Sequence, residues 1–115
     1  MRHIVLVTLA AALTAVAAGA QAGMKFFAYN MTTSSDFIYV YMAPAGSNQW
    51  GPNQAVNDLD QVFNITERLP LTGLQPGAYD VKLVDSHGRT CIKRNVVLGQ
   101  ERSFEIRDFD LGNCR

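Results

Sequence analysis

The residue with the most chemistry to offer is Trp50, the only tryptophan among 115 residues. An indole presents a large rigid face and a single N–H donor, and Ser47, Asn48, Gln49, Asn53 and Gln54 surround this one in sequence. Amides carry paired donors and acceptors, and amides beside an aromatic face form the chemistry of sugar or peptide capture. Trp50, Asn48, Gln49 and Asn53 are therefore the candidate binding residues. A tryptophan followed by glycine in a long loop has a second use. It can fold back to plug one end of a small core, with Gly51 allowing the close turn. The two uses differ in whether the indole ends exposed or buried.

Catalytic chemistry has fewer candidates. His87 is the one histidine outside the first few residues, and it lies in Asp85-Ser86-His87-Gly88, a tight-turn sequence that points it at solvent. Ser86 is its neighbour, but no nucleophile-elbow glycine pattern surrounds any serine. Zinc-protease, phosphate-loop and dinucleotide motifs are absent from the sequence. Acidic pairs occur at Asp58 with Asp60 and at Asp108 with Asp110, without the twelve-residue pattern of a calcium loop, and read as solvated loop carboxylates. Asp80 is different in kind: it interrupts an apolar strand and is expected to pair with Arg89 or Arg94 across a hairpin. The expectation is a non-enzyme with no cofactor and no metal, with a hydrolase-type use of His87 as the rival.

The two cysteines, Cys91 and Cys114, have neither the C-x-x-C spacing of redox work nor the partners of a metal site. A disulfide is expected. Closing a loop of that length constrains the unfolded chain by about 3 kcal/mol in the loop-entropy model.

The N-terminus says where such a bond would form. Arg2 and His3 precede an uncharged run from Ile4 to Ala18, and Ala20-Gln21-Ala22 fits the small-residue cleavage rule of a signal peptide. That run falls short of the ~20 apolar residues a membrane span requires. Residues 1–22 are expected to be removed, leaving a domain of residues 23–115 in the periplasm or outside the cell, where disulfides persist. Without Arg2 the balance is nine Lys or Arg against ten Asp or Glu. A near-neutral chain lacks the electrostatic footprint of a nucleic-acid or anionic-lipid binder.

Stepping along the remainder, apolar runs of strand length alternate with turn signals, and no helical stripe of useful length appears. Strands are expected at Lys25 to Asn30, Asp36 to Ala43, Gln61 to Thr66, Leu69 to Leu74, Ala78 to Val84, Arg89 to Leu98 and Ser103 to Phe109. In the second run Phe37, Tyr39 and Tyr41 fall on one face and Ile38, Val40 and Met42 on the other. Such a run should lie mid-sheet with both sides covered. Pro44 to Asn57 is a long loop around Trp50. Two Asn-x-Thr triplets, at Asn30 and Asn64, match the glycosylation pattern but matter only in a eukaryotic secretory route. Six or seven short strands with regular turns predict a small antiparallel β-sandwich.

Three blocks in order resemble a family of small secreted bacterial proteins whose role is obscure. They are Phe26 to Asn30, the run Ile38-Tyr39-Val40-Tyr41-Met42-Ala43-Pro44-Ala45-Gly46-Ser47 followed by Trp50-Gly51, and Pro76-Gly77 with Tyr79-Asp80-Val81-Lys82-Leu83-Val84-Asp85 and Gly88-Arg89-Thr90-Cys91. The resemblance implies export and a compact β domain, and no activity. Gln54 to Leu74 departs most from the family pattern, being longer and poorer in glycine and proline. The functional expectation is a non-catalytic binding module for a protein, peptide or glycan, with a passive envelope or stress protein as the alternative.

Overall fold

Phe26, Ala28 and Asn30 alternate with Phe27 and Tyr29, and alternation on a pleated strand separates two faces. In a computed structural model, which describes residues 24–115, the first set is buried and the second half-buried along β1 (Phe26–Asn30). Five further strands follow: β2 (Phe37–Pro44), β3 (Arg68–Leu71), β4 (Gly77–Asp85), β5 (Thr90–Leu98) and β6 (Ser103–Ile106). Short 3-10 turns occupy Gln54–Asn57 and Asp108–Asn113. The strands form two three-stranded sheets, ordered β3-β1-β6 and β2-β4-β5. The expected leader, residues 1–22, lies outside the described residues. Among those described, no helix is long and apolar enough to cross a membrane.

The inner faces of the two sheets bury one core. β1, β3 and β6 contribute Phe26, Ala28, Leu69, Leu71, Phe104 and Ile106; β2, β4 and β5 contribute Phe37, Val40, Met42, Val81, Leu83, Cys91, Val96 and Leu98. Pairing is antiparallel throughout the second sheet, while in the first β1 pairs antiparallel with β3 and parallel with β6. The chain's first and last strands are thus direct neighbours.

Three expectations are corrected. Gln61 to Thr66 is not a strand: only Phe63 makes a bridge, to Phe37, exchanging backbone hydrogen bonds of 2.8 and 3.0 Å. Asp60 accepts from the Val62 N–H and Glu67 from the Asn64 N–H, so local side-chain bonds hold this segment as a loop. Six strands are present among the described residues, within the expected six or seven, and β3 spans Arg68 to Leu71 rather than Leu69 to Leu74. Nor does β2 lie mid-sheet with both faces covered. It is an edge strand, and a bulge between Phe37 and Tyr39 shifts its phase. Phe37 thereby joins Val40 and Met42 in the core, while Tyr39 and Tyr41 turn outward.

Buried polar groups close the joints. Asn30 is fully buried: its amide donates to the carbonyls of Ser35 and Phe63, and its Oδ1 accepts from the backbone N–H and hydroxyl of Thr32. A glycan on Asn30 is incompatible with that packing. Asp85 organises the β4–β5 turn by accepting from the N–H groups of His87 and Arg89 and from Arg89 Nε at 2.7 Å. The disulfide joins Cys91 on β5 to Cys114, and the tail beyond it pairs with β5, where Thr90 and Arg115 exchange backbone hydrogen bonds of 2.7 and 2.9 Å. Asn113 adds a side-chain pair to Ile92.

Candidate functional site

Because the bulge in β2 sends Tyr39 and Tyr41 away from the core, the outer face of the β2-β4-β5 sheet is aromatic. Register sets its rows: Tyr39 lies beside Val84 and Thr90, and Tyr41 beside Lys82 and Ile92. The tyrosine rings are nearly parallel, at 9° with centroids 5.8 Å apart, and Tyr39 is 42% exposed.

Trp50 belongs to this face. The Gly51 N–H donates to the Met42 carbonyl at 2.9 Å, which lays the loop along the free edge of β2 and delivers the indole over the sheet. A Cβ at residue 51 would lie 3.4 Å from that carbonyl, the near limit of ordinary contact. Lys82 Nζ sits 4.8 Å from the Trp50 ring centroid and 5.2 Å from that of Tyr41. The ammonium bridges two ring faces, an attraction of about 0.5–2 kcal/mol per pair depending on hydration. Among the described residues no carboxylate lies within salt-bridge distance of Lys82.

Trp50 is half-buried and takes no part in the core cluster, so it is not the core plug weighed from the sequence. That role falls to Gln54 and Ala55 of the following 3-10 turn, and to Phe63, whose ring lies 6.2 Å from Phe37. The neighbouring amides separate. Asn53 is committed to the fold: Oδ1 accepts from the Val40 and Ala55 N–H groups and Nδ2 donates to the Ile38 carbonyl. Gln54 is buried and exchanges hydrogen bonds with the Thr72 backbone. Ser47, Asn48 and Gln49 are exposed, and Gln49 borders a cleft of about 270 Å³ at the end of the sandwich, between Pro44, Pro52 and Leu74. The structure thus brings Trp50 to Lys82, which also meets Tyr41 of the Tyr39–Tyr41 stack, rather than to Asn53. A Tyr-x-Tyr pair on a strand was the available signal, hidden because the bulge could not be read.

Charged groups near this face are sorted by depth. Asp80 is buried and accepts from the Gly46 N–H, the Asn95 N–H and Arg94 Nη1, at 2.9, 3.2 and 3.0 Å. Of the two arginines expected from the sequence, Arg94 is its partner. The Gly46 N–H holds the Asp80 carboxyl below the usual carboxylate range; burial opposes this, and Asn95 and Arg94 reinforce it. Asp85 is also lowered: burial pushes upward and is outweighed by the Arg89 N–H and guanidinium and the His87 N–H. Arg89 and Arg94, whose carboxylate partners are buried, remain half-exposed.

The remaining candidates are accounted for by local structure. His87 is exposed, and among the described residues its ring makes no hydrogen bond to a carboxylate or hydroxyl. Asp58, Asp60 and Glu67 approach within 4.8 Å of one another. Sharing a hydrogen bond with Asp60 raises the Asp58 carboxyl, and the same contact, with Asn64, lowers that of Asp60. Asp108 accepts from the backbone N–H and hydroxyl of Thr33, and Asp110 from Lys93 and the Arg107 N–H. The first pair braces its own loop, and the second ties the C-terminal 3-10 turn to the segment after β1 and to β5.

Comparison with models of known protein families, with curated protein sequences and with solved structures gives no match. The functional reading therefore rests on the geometry.

Proposed function

We propose that this protein is an exported, non-catalytic binding module whose ligand rests on the outer face of the β2-β4-β5 sheet. One observation carries the reading: Tyr39, Tyr41 and Trp50 are gathered on a face where no core packing requires them. Aromatic side chains displayed around a lysine are the composition of a recognition surface, because they offer area at small cost in side-chain entropy. Export agrees with the signal-like N-terminus and the Cys91–Cys114 disulfide, and places the module in the periplasm or outside the cell.

Arrays of immobilised oligosaccharides and peptides provide the test. The protein should be retained by a defined ligand class, and Tyr41→Ser and Trp50→Ala should each reduce retention at least about tenfold, the scale of a hot-spot truncation. Far-UV circular dichroism should stay unchanged, since neither residue is in the core. Retention that both variants preserve would place the site elsewhere, and no retention at all would favour a passive envelope protein.

A further inference from the structure

The aromatic face is also a charge-sorted one, and that names a ligand. We infer that the platform, taken as the binding site proposed above, receives an acidic glycan: a sugar ring set against Tyr39, the most exposed ring of the cluster, with its carboxylate at Lys82.

Edges come first. A peptide that joins a sheet does so through unpaired main-chain groups at an edge strand. Beside the tyrosines both edges are covered, over Ile38 to Met42 of β2 and Thr90 to Ile92 of β5. On β2, Asn53 satisfies the Val40 N–H and the Ile38 carbonyl, and Gly51 the Met42 carbonyl. On β5, Arg115 and Asn113 pair with Thr90 and Ile92. Recognition here must therefore use ring faces and side-chain donors, which is how a saccharide is held: its apolar C–H faces stack on aromatic rings and its substituents take hydrogen bonds.

Charge comes second. The whole chain is formally neutral, yet on this face the one strand carboxylate is withdrawn and the cations are displayed. Asp80 is buried beneath Arg94. Lys82 stands at the centre without a carboxylate, and Arg94 and Arg115 border a depression of about 310 Å³ beside Ile92. Complementarity requires an anion on the ligand, and a single ammonium suits a lone carboxylate. The opposite outer face lacks this sorting: there Arg68 covers Phe27, while Glu101 and Glu105 flank Tyr29.

Because Trp50 is the sole tryptophan, its fluorescence reports on the platform alone. Titration of the purified protein with oligogalacturonate should shift or quench the emission, and maltohexaose should leave it unchanged. Lys82→Gln should weaken the uronate response about tenfold, Lys82→Arg should largely restore it, and added salt should weaken it in the native protein. Salt dependence tests the charge even if the Gln variant folds poorly. An equal response to maltohexaose would overturn the anionic part and keep the platform; an equal response to poly-glutamate would overturn the glycan. No response to any of the three would overturn the inference, while the array experiment decides separately whether the face binds anything.

Discussion

Two buried aspartates do structural work at different joints. Asp80 ties the loop after β2 to the bulge at Asn95, a residue at φ 58°, and Asp85 builds the turn that leads into β5. Both carboxyls titrate below the ordinary value of 3.8 in the folded protein. The unfolded chain therefore takes up protons first as pH falls. Their contribution is complete above about pH 5 and is lost progressively as pH drops through the unfolded and then the folded values. Denaturant melts at pH 6 and pH 3 should show this loss, and Asp85→Asn should be less stable at pH 6 by about 2 kcal/mol with a smaller dependence on pH. Retention of the full acid sensitivity in that variant would assign it to other groups.

The free edges are the liability of a small sandwich, and the loop after β2 covers two of them, β2 and β3. Unpaired edge strands template association with other chains, so covering them guards against edge-to-edge pairing. Asn53 performs two such tasks, supplying ladder bonds to β2 and capping the 3-10 turn through the Ala55 N–H. Asn57 and Gln54 extend the cover to β3 through Pro70 and Thr72. Asn53→Ala should cost about 1–2 kcal/mol and make scattering on heating depend more steeply on concentration. A melting curve indistinguishable from the parent would show that water replaces the side chain at no cost. β1 was legible as written, because its buried and exposed residues alternate without a break. β2 was legible in extent but not in phase or position, since one bulged residue reverses which side chains face inward. The Gln61 to Thr66 segment has strand-like composition, yet its neighbouring carboxylates satisfy the backbone locally, and composition does not reveal that. At the candidate site, Trp50 stood out as a lone indole, whereas Tyr39, Tyr41 and Lys82 become a unit only once β2 and β4 are paired in register.

At the scale of the whole molecule, the disulfide fixes more than two sulfurs. The tail it anchors supplies the backbone partners of Thr90 and the side-chain partner of Ile92, so Cys91 and Cys114 also seal the edge of β5. Replacing both cysteines by serine should cost about 3 kcal/mol and raise amide exchange first at Thr90, Ile92 and Arg115. Uniform loss of protection over the chain would show instead that the bond is essential to the entire core. The parallel pairing of β1 with β6 has a longer reach. The middle strand of that sheet gains one neighbour only when residues 103–106 are available, so a chain still being synthesised cannot complete the sheet before then. Pairing across such a separation is slow to form, and the topology thus postpones closure of the core until β6 docks.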